Sequence, residues 1–351
     1  MMRPVPCHLS TQDESVLQLT VEYCRLAPGA PLGADVLAAI GFGRDASLPA
    51  DSRSIRVPLE PLHGGDFVEL WHGGDAATLH ADGNVRYACN RDYAFGVIDI
   101  DEREHPDIRS AAAAAYATVR RVQLDSGYPH VLRMWNYLDA INHGTGDAER
   151  YRQFCLGRAL SLDGWTAAFP AATAIGRPVP AATAPAQLQI FWIASRRPGE
   201  MLENPRQVSA FRYPRKYGPA SPSFSRAVLV REAQLLMISG TASIVGHESR
   251  HQGNVLAQCT ETLTNLRSVL QRAQEAGALL DEDLGSGSLL KVYLRRPDAA
   301  PEVAAFLREK LGAATPCLIL EADICRQDLL VEMDCTHGST TVTRPAQNPV
   351  A

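Results

Sequence analysis

The segment Leu329-Leu330-Val331-Glu332-Met333-Asp334 sets carboxylates among apolar residues. Strand alternation would put Leu330, Glu332 and Asp334 on one face. A carboxylic acid held in an apolar site keeps its proton to higher pH and can act as a proton donor near neutrality. The competing reading is an edge strand with Glu332 facing solvent. If a hairpin closes at Gln327–Leu330, Cys325 lies directly across from Glu332.

A second stretch could hold an anion. Residues 212–219 read Arg-Tyr-Pro-Arg-Lys-Tyr-Gly-Pro, and Ser223-Phe224-Ser225-Arg226-Ala227 follows closely. The span packs four cations (Arg212, Arg215, Lys216, Arg226) and two tyrosines (Tyr213, Tyr217) into 15 residues. Planar guanidinium forks suit carboxylates, and phenolic hydroxyls add directed hydrogen bonds. Pro and Gly fix an irregular backbone, as a binding loop needs. The bland reading is a solvated basic connector. Tyr151, Cys155 and Arg158 share one helix face by spacing, which alone fits an ordinary helix surface.

His247-Glu248-Ser249-Arg250-His251 matches HExxH literally. A zinc peptidase needs that motif inside a helix. Here Gly246 precedes it and Gly253 follows, which places it in a strand-to-helix turn, as a loop contacting substrate or solvent.

Elements to position these residues are readable over much of the chain. Toward the C-terminus, Gln234–Ser239 reads as a strand and Asn254–Gln274 as a helix. Leu289–Leu294 is a strand, Ala300–Leu311 a helix, and Cys317–Arg326 and Leu329–Cys335 two strands forming a hairpin. Earlier, Val85–Ala88 and Tyr93–Ile100 read as strands, His105–Val122 as a helix, His130–Tyr137 as a strand and Ala148–Leu160 as a helix. Leu188–Ala194 and Arg206–Tyr213 complete that set as strands. Both halves give strand, helix, strand, helix, two strands, with one extra strand at the start of the first, at an offset of roughly 145 residues that shrinks later, which suggests an internal duplication of one α+β unit with insertions. The expected domains are 1–215, with an N-terminal extension, and 216–351. Phe169–Gln187 is Ala/Pro/Thr-rich and reads as a long loop. Thr336–Ala351 is polar and reads as a frayed tail. Residues 1–60 carry no assignable element.

Composition bounds the partners. The chain has 351 residues, 46% hydrophobic and 21% charged, which excludes disorder as its main state. The net charge of −5 gives no dominant cationic surface, so nucleic acid and anionic membranes are not expected partners. No apolar leader or membrane span is visible. The eight cysteines form no CxxC pair and read as free thiols of a cytoplasmic protein.

Three tracts carry a family resemblance: RYRQFCLGRAL (Arg150–Leu160), LENPRQVSAFRYPRKYGPASPSFSRA (Leu202–Ala227) and ISGTASIVGHESRHQG (Ile238–Gly253). These resemble the chorismatases, which carry a RidA-like architecture, while LMISGTASIVG (Leu236–Gly246), the helix Asn254–Gln274, LLKVYL and the terminal VEMD resemble the YjgF/RidA fold. The resemblance covers roughly Tyr87 to Cys335. It implies an α+β fold of two RidA-like units, with mixed sheets and helices packed on one face. Where RidA-type deaminases carry an arginine, this chain reads Pro316-Cys317-Leu318, so deaminase activity is not implied.

The implied substrate is chorismate, a dicarboxylate with an enolpyruvyl ether. Glu332 falls on the family's acid. Cys325, seven residues earlier, matches a mark of the benzoate-forming branches. Tyr151, Arg158, Tyr213 and Arg226 are the expected substrate-binding residues, with Arg215 and Tyr217 as second choices. No metal or other cofactor is implied. The product is expected to be pyruvate with 3-hydroxybenzoate, with some 4-hydroxybenzoate in one branch. The alternative is hydrolysis to pyruvate and a trans-dihydrodiol, and Ala242 keeps the branch open. A RidA-like module that binds a small acid without turnover is a further alternative. Monomer, dimer and trimer all stay open.

Overall fold

The computed structural model describes residues 18–27, 29–65, 67–161, 168–179, 187–338 and 340–343. The first 17 residues, residues 180–186 of the 169–187 segment and the final residues of the tail lie outside them. No helix among the described residues is long and apolar enough to cross a membrane.

The chain opens with β1 (Thr20–Cys24), β2 (Val36–Phe42), β3 (Ser54–Val57), β4 (Pro61–His63) and β5 (Val68–His72). It continues with β6 (Thr78–Asp82), β7 (Val85–Cys89), β8 (Tyr93–Asp101), α1 (Ile108–Asp125), β9 (His130–Asp139), α2 (Arg150–Leu160), β10 (Ala171–Arg177) and β11 (Gln187–Ser195). The last part holds β12 (Glu200–Leu202), β13 (Ala227–Val230), β14 (Leu235–Ala242), β15 (Ile244–Val245), β16 (Glu248–Ser249), α3 (Val255–Glu275), β17 (Ser288–Leu294), α4 (Ala300–Leu311), β18 (Cys317–Glu321), β19 (Asp323–Ile324), β20 (Val331–Gly338) and β21 (Thr340–Thr343).

The fold is α+β, and the duplication is explicit in the strand order. One seven-stranded sheet runs β19-β10-β9-β11-β8-β7-β6 and the other β4-β18-β17-β20-β14-β13-β12. One pair of each repeat, next to the sheet edge, is parallel, β9 with β10 and β17 with β18, and the rest are antiparallel. Each sheet ends on a short strand from elsewhere in the chain: β19 lies on β10, and β4 lies on β18. The five-stranded sheet β21-β1-β5-β2-β3 repeats the core order once more, without helices.

Period-2 alternation splits each large sheet into two faces. One face of all three sheets meets in a shared core around Trp71, Trp135 and Tyr293. The other face of each seven-stranded sheet carries its helix pair. Helix α1 packs closely because Ala111, Ala112 and Ala115 are fully buried, and α2 meets it through Gly157, where a β-carbon would lie 2.2 Å from the Arg109 carbonyl oxygen. Asp107 and Asn254 cap α1 and α3 by accepting the Ser110 and Ala257 amides.

Several expectations are corrected. The 169–187 segment is not one long loop: Ala171–Arg177 is β10, parallel to β9. Its small residues carry little apolar signal, and small size is what lets it lie against β14 at the seam between the repeats. There Ser239 Oγ accepts the Ala172 amide at 2.8 Å, and the Gly240 amide donates to Thr173 Oγ1 at 3.0 Å. The sixth element of the first repeat is therefore β11, and Arg206–Tyr213 is not a strand but irregular chain with a 3-10 turn at Ala210–Arg212. With that change the matching elements pair throughout: α2 starts at Arg150 and α4 at Ala300, and β11 starts at Gln187 and β20 at Val331. The hairpin of 317–326 with 329–335 does not form, because β17 lies between β18 and β20. The tail is ordered further than expected, since β20 runs to Gly338 and β21 pairs with β1. The unassigned first 60 residues supply three strands, β1, β2 and β3, of the five-stranded sheet.

Candidate active site

Glu332 sits on β20, between Tyr293 of β17 and Ala242 of β14 in register. Its 5% exposure rules out the solvent-facing reading. A bulge in β14 between Ile238 and Thr241 places Gly240 under the carboxylate. A β-carbon at Gly240 would lie 2.1 Å from Glu332 Oε1, so only glycine leaves the acid its place.

Burial pushes the Glu332 carboxyl up to about 8, and the charge of Asp334 adds to that. Arg133, Arg226 and a hydrogen bond from Cys325 pull the other way. Burial therefore keeps the proton on Glu332 at neutral pH. The Cys325 Sγ lies 3.9 Å from Oε2. It does not come from a hairpin partner, as the sequence reading had it. It follows β19, which pairs with β10 and so brings the thiol in across the seam. Burial raises the Cys325 thiol strongly, so it is a neutral, weak donor and not a thiolate.

Asp334, on the same face of β20, is fully compensated. It receives Tyr293 Oη at 2.9 Å and Thr173 Oγ1 at 3.0 Å, with Arg133 at 3.2 Å and Lys291 at 3.8 Å. Lys291 in turn pairs with Glu69 at 2.9 Å, which also accepts the Trp71 indole N–H. This buried network fixes the face of β20 that carries the acid. Asn265 of α3 fixes the end of β14, donating to the carbonyls of Ala242 and Ile244.

A cavity of about 550 Å³ opens above Glu332. Arg158 reaches it from α2. Its guanidinium is 3% exposed and stacks 5.0 Å from the Tyr116 ring, but Nε and Nη2 have no hydrogen-bond partner among the described residues. Arg226 is also 3% exposed. Its Nη2 donates to the Val208 carbonyl at 2.9 Å and to Tyr213 Oη at 2.8 Å, while Nε has no partner among the described residues. Buried guanidinium N–H groups left open are costly, and an anion in the cavity would satisfy them. Tyr151 lines the wall from the first turn of α2, with its hydroxyl raised by burial. Tyr213 and Tyr217 lie 5.5 Å apart on the outer wall.

Of the expected site residues, Arg215 is the one that does not line the cavity. Its side chain is 66% exposed and forks onto Asp147. The HESRH motif forms the small β15–β16 hairpin, not a helix. His247 meets the Tyr217 hydroxyl at 3.2 Å, and His251 pairs instead with Glu261 at 3.2 Å. Among the described residues no three His, Cys, Asp or Glu side chains converge as a metal site.

Sequence reading missed Arg326, whose guanidinium lies 4.0 Å over the Tyr217 ring and donates to the His247 carbonyl. It also missed Arg133, Thr173 and Gly240. The only local signal was adjacency: Arg326 follows Cys325, and Gly240 opens the GTAS tract.

At its internal seam the duplicated α+β unit thus brings together a buried carboxylic acid and two arginines with open N–H groups. The chain belongs to the chorismatase family. The family described as chorismatase FkbO/Hyg5-like, N-terminal, matches residues 69–194. A 3-hydroxybenzoate synthase of Streptomyces hygroscopicus is 31% identical over 87% of this chain and 92% of its own. A chorismatase of Streptomyces rapamycinicus is 35% identical over 76% of this chain and 81% of its own. A chorismatase crystal structure superposes with a TM-score of 0.80 at 31% identity, covering 92% of this chain and 99% of that one.

Proposed function

We propose that the protein cleaves chorismate, releasing pyruvate and 3-hydroxybenzoate. The observation that carries this reading is Glu332, a buried acid raised to about 8 beside guanidinium N–H groups of Arg158 and Arg226 that the protein leaves open. The names of the relatives, which include a 3-hydroxybenzoate synthase, support the same substrate and product.

Glu332 gives its proton to the terminal methylene carbon of the enolpyruvyl group. The electrons of that double bond form the new C–H bond, and the ether carbon becomes an oxocarbenium ion. Arg158 and Arg226 hold the two carboxylates, and Tyr151, Tyr213 and Tyr217 orient the ring. The substrate's own ring hydroxyl adds to the cation carbon and gives a cyclic ketal. The ring C–O bond of that former hydroxyl then breaks, the neighbouring ring carbon that bears the ether oxygen loses its proton as the ring becomes aromatic, and the remaining hemiketal collapses to pyruvate and the phenol. Substrate and products then balance without added water. Cys325 acts beside the acid as a neutral thiol that keeps water from the cation.

Ala242 favours a second reading. Its methyl lies in register with Glu332 and takes up space beside the acid. A substrate displaced by that methyl would expose the cation to water, giving the dihydrodiol in place of the benzoate. Incubating the protein with chorismate and resolving products by chromatography with ultraviolet detection separates the readings. An aromatic product equimolar with pyruvate supports the synthase, and a non-aromatic diol supports the hydrolase. Binding without any pyruvate would leave a non-catalytic module and sink both.

A further inference from the structure

The repeat that builds the cavity over Glu332 builds a second one. Glu332 on β20 is flanked in register by Tyr293 on β17 and Ala242 on β14. The matching strands of the first repeat are β11, β9 and β8. There the residue flanked by Tyr137 on β9 and Asp99 on β8 is Gln189 on β11. Gln189 stands where the acid stands. The wall across the seam matches too. The first cavity is closed by β10, the strand parallel to β9, and the second by β3, the strand parallel to β2. The volumes are about 550 and 560 Å³. Tyr137 and Tyr293, the equivalent floor residues, touch through their hydroxyls at 3.0 Å.

Two groups in this second cleft could take a ligand: a buried amide oxygen and an exposed guanidinium on its rim. The amide oxygen of Gln189 is buried without a partner, while its nitrogen is committed to Asp99 at 2.8 Å and to the Arg56 carbonyl at 3.1 Å. The Arg56 guanidinium, exposed at the mouth of the cleft, donates to the Arg44 carbonyl and has no carboxylate within ion-pair reach among the described residues. The other arginines here are neutralised locally: Arg86 by Asp99, Arg103 by Asp101 and Arg177 by Asp139. An open cation with a buried acceptor calls for a ligand that brings one carboxylate and one hydroxyl donor. The space is that of a small-molecule pocket. An amide has no acidic proton to give to carbon, so cleavage chemistry is absent where the geometry of the cleft is kept.

We infer that the cleft between β3 and the β8–β11–β9 end of the first sheet is a second, non-catalytic binding site for a small hydroxy carboxylic acid. The choice of probe rests on the proposed function, but the site itself does not. Calorimetric titration of the full chain with 3-hydroxybenzoate is expected to give two sites. The R56A/Q189L pair removes one of them, and R158A/R226A removes the other. Benzoate, lacking the hydroxyl, should bind the second cleft about tenfold more weakly, since it leaves the Gln189 oxygen unmet. Crystals soaked in 3-hydroxybenzoate should show it against Arg56 and Gln189. A single site, or two sites indifferent to R56A and Q189L, overturns the inference even if chorismate is turned over. Two sites without chorismate turnover overturn the proposed activity and leave the second cleft standing.

Discussion

Glu332 Oε1 occupies the space that any side chain at Gly240 would fill, with a virtual β-carbon only 2.1 Å away. The strand bulge and the acid are thus one device. Gly240→Ala must push the carboxyl group from its position, and a displacement of about 1 Å can cost about 100-fold in rate. Pyruvate release followed in a coupled assay should fall at least that far while KM changes little. Unchanged turnover would mean the acid acts from another position.

Glu332→Gln should lose turnover by about 100-fold or more, since a positioned acid contributes that much. In the parent protein, turnover should fall as pH rises through about 8, where Glu332 gives up its proton. Stability follows the same sign. The folded-state value is raised, so between about 4.5 and 8 the native state holds a proton that the unfolded chain has lost. Unfolding is therefore progressively favoured as pH climbs through that window. The glutamine variant lacks this linkage and should melt higher than the parent at pH 9, with a smaller difference at pH 4. Parallel melting curves for the two proteins at all pH values would contradict the raised value.

Arg158→Ala and Arg226→Ala should each raise KM by about tenfold or more, because both remove contacts made in ground and transition states alike. Their stabilities should differ. Arg226 leaves the Val208 carbonyl and Tyr213 hydroxyl without their donor, whereas the Nε and Nη2 of Arg158 donate to no described group. Thermal melts should therefore fall further for Arg226→Ala. A kcat loss with unchanged KM would remove both from substrate binding.

Cys325→Ala should move the product ratio toward the diol, as read by chromatography. The thiol's hydrogen bond lowers the Glu332 value, so its loss should also move the alkaline limb of kcat upward. If neither ratio nor pH profile moves, Cys325 is packing alone.

Thr173→Val tests how the seam holds the acid. One hydroxyl accepts from Gly240 and Arg133 and donates to Asp334, so valine leaves three buried groups short of a partner. The expected outcome is a loss of about 1–3 kcal/mol in stability and a fall in kcat, both restored by Thr173→Ser. Serine failing like valine would assign the effect to packing.

The helices and the strands with bulky apolar residues were legible in sequence, because periodicity reports burial directly. The acid on β20 was legible for the same reason, as a carboxylate on an apolar strand. What escaped were features set by tertiary pairing. Strand β10 is written mostly in Ala, Thr and Gly, which look like loop, and its pairing with β9 and β19 makes it a strand. The hairpin expected after β18 was wrong because a parallel partner, β17, intervenes, and parallel neighbours leave no local mark. Arg133 and Lys291 lie inside strands read only as apolar, where their charges are cancelled by Asp334 and Glu69 from other strands. Arg215 looked like Arg226 by type, but Asp147, distant in sequence, draws it outward.

The short strands β4 and β19 have a consequence for synthesis. The sheet that begins with residue 78 is finished only by Asp323 and Ile324, and an early segment at Pro61–His63 must wait for Cys317–Glu321. A nascent chain still on the ribosome therefore carries bare lateral edges until nearly all of it has emerged, and such edges recruit other chains. Pauses or truncations upstream of residue 324 should leave a sticky half-product instead of a working half-enzyme.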